Sequence, residues 1–332
     1  VVQRKGLKFH DPRQLPFALY GIYYQDGMYR RMPEDVAKSV SEFVGLQHTY
    51  CAGGRVRFRT DSDYIAIYAE FGELVGRSAM TLVGESGFDL YKNRRYYRLF
   101  KPPYDIGDSY VSEQRLKKEL ADYEIYMPLY REVRSLKIAL RKGASLLPAT
   151  PYSKQKPVVF YGSSITQGAC SSRAGTTYTN FVSRALNSNI LNLGFSGSAM
   201  GETKMAEYIA KLKMTALVID YDFNAPNEEH LKNTHKAFFD IIRKAQPNLK
   251  ILILSKPRHK LGPTDLRRKE IIEKTYLEAV SSGDKNVAFL SGMDLIPQEF
   301  NEIFTVDLCH PNDCGFATMA MAVTKRLKEL GV

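Results

Sequence analysis

The chain has 332 residues, of which 44% are hydrophobic and 25% are charged, and its net charge at pH 7 is +11. This composition is typical of a globular protein and excludes the collagen-like, coiled-coil and intrinsically disordered classes. No apolar run approaches the roughly 20 residues of a membrane-spanning helix, so no such helix is expected. At about 100–200 residues per domain, the length favours two domains.

The positive charge is shared by both halves of the chain. Residues 1–150 contain 24 Lys and Arg against 18 Asp and Glu, and the remainder contains 23 against 18. A nucleic-acid-binding module would more often concentrate its basic residues in one patch. We therefore expect a mildly basic, solvated surface, with neither a nucleic acid nor a membrane as partner.

The cysteines carry little information about metals or disulfides. The chain has four of them, Cys51, Cys170, Cys309 and Cys314, too few for a disulfide scaffold at this length. Cys309, Cys314 and His310 are close in sequence, but no second pair completes the four ligands of a structural zinc site, so no metal is expected. Free thiols favour a reducing, cytoplasmic compartment. The absence of an N-terminal Met leaves a removed signal peptide open.

Residues 1–150 have the pattern of a β-rich domain. They hold 15 of the 21 tyrosines, and tyrosine favours strands. Residues 55–59, 64–68 and 135–140 alternate polar and apolar side chains, which indicates half-buried strands. Gly- and Pro-containing turns separate them, so we predict a β-sandwich or jelly roll over residues 1–150. The charged segment Val111–Leu120 is expected to be a loop or a short helix.

Residues 151–332 follow a different pattern, in which near-continuous apolar runs alternate with amphipathic segments. The runs are 158–161, 190–193, 216–220, 251–254 and 287–290. Such alternation predicts a parallel sheet covered by helices on both faces. We predict a five-stranded, flavodoxin-like, doubly wound α/β domain whose ligand site lies at the carboxyl ends of the strands.

The first of these runs leads into the segment Gly162-Ser163-Ser164-Ile165-Thr166-Gln167-Gly168. A serine between glycines after a strand suits an exposed nucleophile on a tight turn. The segment does not match G-x-S-x-G, the nucleophile elbow of α/β-hydrolases, because Thr166 replaces the last glycine. A phosphate loop does not fit either, because Ala169 stands where that loop needs lysine.

Further polar residues follow later strands. Small residues around Gly197 would let backbone N–H groups approach a ligand, and Asn224 follows the third run. Asp307 stands three residues before His310, where a carboxylate can fix the neutral imidazole tautomer that a general base needs. Their order along the chain, at successive strand ends, carries more weight than any one of them.

This set of residues resembles the SGNH hydrolases, the GDSL-type esterases and lipases, over residues 155–332. The resemblance implies that Ser164 is the nucleophile, His310 the base and Asp307 the acid that orients it. It also implies an oxyanion hole formed by the backbone N–H groups of Ser164 and Gly197 and the side-chain amide of Asn224.

Two positions depart from the family pattern. Ser163 replaces the Asp of the GDS sequence, and Asp222 replaces the Gly of the GxND block. Neither position is the nucleophile, the base or an oxyanion donor, so the departures bear on substrate range and local geometry.

The N-terminal half resembles a β-sandwich domain with a GxDLY motif that precedes some bacterial SGNH hydrolases. The motif is Gly87-Phe88-Asp89-Leu90-Tyr91. We expect Asp89 to be a buried, hydrogen-bonded strand residue with a structural rather than a catalytic role. A contribution of the motif to the rim of the substrate pocket is the alternative.

The resemblance implies a serine esterase that hydrolyses short-chain acyl esters, acetyl esters on carbohydrates above all, through an acyl-enzyme and without a cofactor. Its partner would be a small-molecule or oligosaccharide ester, and its oligomeric state is left open. Two alternatives are an acyltransferase that uses the same acyl-enzyme and a non-catalytic carbohydrate-binding protein with a degenerate hydrolase domain.

Overall fold

The computed structural model describes residues 5–258, 261–297 and 299–332. Two compact units divide the chain. The sandwich unit comprises Val1–Arg31, Thr49–Tyr152 and Ser172–Gly175, and the α/β unit comprises Met32–His48, Ser153–Ser171 and Thr176–Val332. Among the described residues, no helix combines the length and the apolar character needed to cross a bilayer.

Short antiparallel strands form the sandwich unit. They are β1 (Leu7–His10), β2 (Ala18–Tyr20), β3 (Tyr23–Gln25), β4 (Met28–Arg30), β5 (Arg55–Thr60), β6 (Tyr64–Phe71), β7 (Phe88–Lys92), β8 (Arg95–Phe100), β9 (Ser109–Arg115), β10 (Ala121–Tyr126), β11 (Val133–Arg141) and β12 (Leu146–Leu147). In the part of the chain that is described, one sheet has the order β1-β11-β6-β9. The other has the order β12-β5-β10-β7-β8, with β2 also paired to β5, while β3 and β4 form a separate ribbon.

The two larger sheets share one apolar core, to which β5 contributes Val56 and Phe58 and β6 contributes Ile65 and Ile67. The predicted N-terminal β-sandwich is therefore confirmed. The expectation of a loop or short helix over Val111–Leu120 is wrong for residues 111–115, where β9 pairs with β6, whereas residues 116–120 lie in no strand. As an edge strand, β9 exposes alternate side chains and so tolerates the charges that suggested a loop.

A parallel sheet forms the centre of the α/β unit. Its strands are β13 (Lys154–Gly162), β14 (Ser188–Gly194), β15 (Ala216–Asp220), β16 (Lys250–Leu254) and β17 (Val287–Leu290). Each contains one of the five predicted apolar runs. The order β14-β13-β15-β16-β17 is that of a flavodoxin-like sheet. The predicted doubly wound fold is confirmed.

Helices cover both faces of this sheet. In the described residues the α-helices are α1 (Glu34–Val40), α2 (Glu42–Gln47), α3 (Leu82–Ser86, in the sandwich unit), α4 (Ser164–Gln167), α5 (Tyr178–Leu186), α6 (Thr203–Lys211), α7 (Glu228–Ala245), α8 (Pro263–Ser281) and α9 (Asp313–Glu329). Val159 of β13 faces a core that includes residues of α6, α7 and α8, and Val158 faces the core under α5 and α9.

The first of these cores also contains Ala37 of α1 and Val44 of α2. These two short helices precede the sandwich strands β5–β12 in sequence but pack within the α/β unit. Sequence reasoning did not single them out, because each is too short to show a clear helical period.

Candidate active site

Ser164 lies where β13 ends and α4 begins. The side chain of Ser163 caps this helix by accepting the N–H of Ile165 at 3.2 Å, so the residue that departs from the GDS pattern has a local structural role. Neighbouring backbone is packed tightly around the junction. A Cβ atom on Gly194 of β14 would lie 2.2 Å from the backbone nitrogen of Gln167, a position that only glycine can occupy. Ser164 is therefore held in a rigid turn, with 8% of its surface exposed.

His310 and Asp307 lie in the loop between β17 and α9, and the structure brings both to Ser164. Ser164 Oγ is 2.9 Å from His310 Nε2. His310 Nδ1 is 2.7 Å from Asp307 Oδ2. With the Nδ1–H donated to Asp307, Nε2 is left as the acceptor that faces the serine hydroxyl. This arrangement can move a proton from the serine oxygen to the imidazole.

Asp307 is also held from its own loop. Its Oδ1 accepts the backbone N–H groups of His310 at 2.7 Å and Cys309 at 3.0 Å. Partial burial favours the neutral acid, but these hydrogen bonds and the one from the imidazole hold the pKa of Asp307 below its ordinary value. The carboxylate therefore stays ionised opposite His310.

Gly197 lies in a tight turn after β14. Phe195 O accepts the N–H of Ser198 at 3.0 Å, and Gly197 has φ of +66°. A positive φ at the third position of a four-residue turn is the mark of type II geometry, which favours glycine. Gly197 is exposed, and its N–H has no hydrogen-bond acceptor within the described residues. It is available to a ligand.

Asn224 ends the 3-10 turn Asp222–Asn224 that follows β15. Its Nδ2 donates to Phe195 O at 3.0 Å, so one amide proton ties Asn224 to the turn that carries Gly197. The same turn is tied to the serine helix, because the Ser196 N–H donates to Gln167 Oε1 at 2.9 Å. Hydrogen bonds thus connect the three loops that carry Ser164, Gly197 and Asn224.

Asp222, the second departure from the family pattern, makes an almost completely buried ion pair. Arg268 Nε of α8 lies 2.9 Å from Asp222 Oδ1, and the two side chains are 6% and 2% exposed. Arg268 Nη2 also donates to the backbone oxygens of Asp222 and, at 2.9 Å, Ala225. The pair therefore holds both ends of the turn that contains Asn224.

A second buried carboxyl, Asp220, lies at the carboxyl end of β15. Its Oδ2 accepts the hydroxyls of Thr166 at 2.9 Å and Tyr178 at 3.0 Å. Burial raises the pKa of Asp220 to about 7, against the effect of these two hydrogen bonds. Through Thr166, Asp220 thus holds α4, the helix that begins at Ser164.

Sequence reasoning missed three residues that hold the site together, Gln47, Gln167 and Arg268. Gln167 lies in the serine segment, which the sequence analysis did identify. Asp222 was noted because it replaces a glycine, but nothing in the sequence identified Arg268 as its partner. Gln47 carries no local signal, because it lies 149 residues before the Ser196 that it contacts.

Possible metal donors in the described residues coincide with the site. Ligand atoms of Asp307, Cys309 and His310 all lie within 4.8 Å of one another. Two of these side chains are already joined by a hydrogen bond. Cys314 is not part of this group, although it is close to Cys309 and His310 in sequence.

The GFDLY motif lies on β7 of the sandwich unit. Asp89 is fully buried, and its Oδ2 lies 2.6 Å from Arg173 Nη1 and 2.9 Å from the Gly175 backbone nitrogen. Tyr91 OH donates to Gly175 O at 3.3 Å. Asp89 is thus a buried, hydrogen-bonded strand residue, as expected, and it anchors the segment Ser172–Gly175.

Two family models together match most of the chain. A family model of GDSL-like lipases/acylhydrolases matches residues 155–328. A model of the GxDLY domain, the N-terminus of SGNH-hydrolase-type esterases, matches residues 7–146. The sequence has no significant match among curated proteins.

Solved structures share the fold over nearly the whole chain. A structure described as a GDSL-like lipase from Bacteroides ovatus is 24% identical, with a TM-score of 0.87 and 98% of each chain covered. A salicylyl acyltransferase from a tetracycline biosynthetic pathway is 20% identical, with a TM-score of 0.82 and 99% of each chain covered. An acetyl xylan esterase from the rumen bacterium Butyrivibrio proteoclasticus is 14% identical, with a TM-score of 0.67, and 98% of this chain and 99% of that chain are covered.

The first family model covers more than half of the chain and includes the strands that carry Ser164, Gly197 and Asn224. The fold is the one that these esterases and the acyltransferase share. The chain therefore belongs to the GDSL-like lipase/acylhydrolase family, as a serine hydrolase with a GxDLY-type N-terminal domain.

Proposed function

We propose that the protein hydrolyses short-chain acyl esters, acetyl esters in particular, with Ser164 as the nucleophile. The observation that carries the proposal is the pair of hydrogen bonds from His310 Nδ1 to Asp307 at 2.7 Å and from the Ser164 hydroxyl to His310 Nε2 at 2.9 Å. Nucleophile, base and orienting acid at such distances form the arrangement that acyl transfer through serine requires.

In the first half of the reaction, His310 Nε2 accepts the hydroxyl proton as Ser164 Oγ bonds to the ester carbonyl carbon. Asp307 keeps the imidazole in position and stabilises its positive charge. The bond between carbonyl carbon and alcohol oxygen then breaks, and His310 gives the proton to the departing alcohol. In the second half, His310 deprotonates a water molecule, whose oxygen attacks the carbonyl carbon of the acyl-enzyme. The bond from this carbon to Ser164 Oγ then breaks, His310 returns the proton to Ser164, and the acid is released.

The negative charge on the carbonyl oxygen is held by the backbone N–H groups of Ser164 and Gly197 and by Asn224 Nδ2. Donors of this type act mainly on the transition state, and the loss of one typically costs about 10²–10³ in rate. The hydrogen bond from Asn224 to Phe195 O at 3.0 Å leaves the second amide proton of Asn224 Nδ2 for this task.

An acetylated carbohydrate is the substrate class that we favour. Family two carbohydrate esterases and an acetyl xylan esterase share the fold over most of the chain. A panel of acetylated xylan, acetylated cello-oligosaccharides and p-nitrophenyl esters of increasing acyl length tests both the alcohol and the acyl group. Preference for long acyl chains, or no release of acetate from any carbohydrate, would refute this assignment.

An acyltransferase is the second candidate, because the salicylyl acyltransferase has a TM-score of 0.82 over 99% of each chain. It would use the same acyl-enzyme and differ in the acceptor. Product analysis with competing alcohols separates the two, since a transferase forms a new ester in preference to the free acid.

The serine mechanism is tested with Ser164→Ala, with Ser281→Ala, an exposed serine of α8, as control. Ser164→Ala should abolish p-nitrophenyl acetate hydrolysis and labelling by a fluorophosphonate, whereas the control keeps both. Near-normal turnover by folded Ser164→Ala would refute the mechanism. A folded wild-type protein that the probe does not label would support a non-catalytic, carbohydrate-binding role.

A further inference from the structure

The peptide that joins Ser196 to Gly197 is central to the proposed oxyanion hole. In a trans peptide the carbonyl and the following N–H point in opposite directions. The direction of the Gly197 N–H is therefore fixed by what holds the Ser196 carbonyl oxygen. Any group that binds this oxygen on one side of the turn keeps the Gly197 N–H on the other.

Gln47 binds that oxygen. Gln47 Nε2 donates to Ser196 O at 2.9 Å, and Gln47 Oε1 accepts the Ser196 N–H at 2.8 Å. Gln47 Nε2 also donates to Ser198 Oγ at 3.2 Å, and this hydroxyl in turn donates to Ser196 O at 3.0 Å. One side-chain amide thus pairs with both backbone groups of Ser196, in the manner of a neighbouring strand.

The side chain of Gln47 is itself firmly placed. Gln47 is the last residue of α2, and it is 9% exposed. The helix is capped by Ser41, whose hydroxyl accepts the Val44 N–H at 3.2 Å. Val44 is fully buried in the core of the α/β unit, so the amide of Gln47 projects from an anchored element.

The orientation of the Ser196–Gly197 peptide must be held by a hydrogen bond, because glycine adopts positive and negative φ at similar energetic cost. A type II turn converts to type I when its central peptide rotates by about half a turn. In the rotated form the Ser196 carbonyl would point where the Gly197 N–H now points, and it would repel an oxyanion. The donation from Gln47 to Ser196 O opposes this rotation.

We propose that Gln47 is a positioning residue that holds the Ser196–Gly197 peptide in the orientation required by the oxyanion hole. This inference rests on the proposed function, since it assigns a role to the Gly197 N–H. Gln47 touches no reacting atom and acts through the peptide. A hydrogen bond to the carbonyl also polarises the peptide and strengthens its N–H as a donor.

The test compares Gln47→Glu, which keeps the shape and the acceptor but loses the donor, with Glu42→Gln, an exposed site on the same helix. Rates of p-nitrophenyl acetate hydrolysis are divided by the concentration of serine that a fluorophosphonate titrates. Gln47→Glu should lower kcat by about 10- to 100-fold, less than the full loss of a donor, with KM within about twofold. Glu42→Gln should leave both unchanged.

A second readout separates positioning from general packing. Sulfur accepts hydrogen bonds more weakly than oxygen, so an oxyanion hole favours an ester over the matching thionoester. Gln47→Glu should reduce this preference, and Gln47→Met, which fills the same volume without hydrogen bonds, should do the same. An unchanged preference or an unchanged kcat in folded Gln47→Met refutes the inference even if the Glu variant does not fold.

Failure of the proposed function would look different. Ser164→Ala and Asn224→Ala are measured in the same series. Activity that survives Ser164→Ala refutes the serine mechanism itself. Activity that is lost in Ser164→Ala and Asn224→Ala but normal in both Gln47 variants refutes only the role of Gln47.

Discussion

Arg268 and Asp222 form a buried ion pair that fixes the turn carrying Asn224. The pair is 2.9 Å long and nearly inaccessible to solvent, and Asp222 Oδ2 also accepts the Lys256 N–H at 2.9 Å. Where the family pattern has a flexible glycine, this chain has a carboxylate that accepts hydrogen bonds from two partners, Arg268 Nε and the Lys256 N–H. An aspartate held by an ion pair thus replaces a conformationally flexible glycine beside the proposed oxyanion hole.

Arg268→Met should destabilise the protein by about 3–5 kcal/mol, because it leaves the Asp222 carboxylate buried without its cation. The double variant Asp222→Asn/Arg268→Met should lose less than the single variant, since no charge is left unpaired. Urea unfolding measures both. Arg267→Met is the matched control, because its partner Glu228 and Arg267 itself are partly exposed, and it should cost about 0–1 kcal/mol. A double variant less stable than Arg268→Met would contradict the ion-pair account.

Asp307→Asn should lower kcat for p-nitrophenyl acetate by about 10²–10⁴-fold, because an amide no longer selects the Nδ1–H tautomer of His310. The serine would then face a protonated Nε2 and lose its base. Glu302 is an exposed carboxylate in the same segment between β17 and α9. Glu302→Gln is therefore the control and should leave kcat unchanged. Asp307→Asn with more than half of the wild-type kcat would show that His310 is oriented by other groups.

Asp220 should make the protein less stable as the pH rises. Its folded pKa is raised to about 7, so between pH 4 and pH 7 the folded state binds more protons than the unfolded state. The free energy of unfolding then falls with pH in this window and levels off above it. The loss from Asp220 is at most about 4 kcal/mol, as the raised pKa implies.

Asp220→Asn isolates this contribution, because the amide oxygen can still accept the hydroxyls of Thr166 and Tyr178. Urea unfolding at pH 5, 6, 7 and 8 should show the variant gaining stability relative to wild type as the pH rises. A constant difference between the two proteins across this range would show that Asp220 titrates normally. Comparing the two at each pH removes the effect of carboxyls such as Asp11, whose pKa is lowered.

The sequence predicted the parallel sheet and the residues at its edge because short stretches of sequence indicate both. Apolar runs mark the strands, and Ser164, Gly197 and Asn224 follow those runs directly. The contacts that orient them are not local. Gln47 contacts Ser196, 149 residues away in sequence, and Arg268 contacts Asp222, 46 residues away. No periodicity or spacing near Gln47 or Arg268 indicates these contacts. The edge strand β9 was not predicted because its charged residues suggested a loop. An edge strand tolerates such residues, since its alternate side chains are exposed to solvent.

Asp89→Ala should destabilise the sandwich unit by about 3–5 kcal/mol, because it removes the acceptor for Arg173 and the Gly175 N–H from a fully buried position. Asp89→Asn should cost less, since its carbonyl oxygen still accepts the Gly175 N–H. Thermal and urea unfolding compare them with Asp63→Asn, whose surface pair with Arg141 is about half exposed. Equal stability of Asp89→Ala and Asp63→Asn would contradict a structural role for the motif.

Gly197→Ala should reduce activity without a matching loss of stability. Gly197 has φ of +66° and open space where a Cβ would stand, so the cost of alanine is conformational, about 1–2 kcal/mol. The turn can relieve that cost by rotating the Ser196–Gly197 peptide, which turns the N–H away. Gly283→Ala is a matched control, because Gly283 has φ of +88° and equally open surroundings. Both variants should lose similar unfolding free energy, but only Gly197→Ala should lose fluorophosphonate labelling and esterase turnover. Equal activity in the two variants would show that the Gly197 N–H is not part of the oxyanion hole.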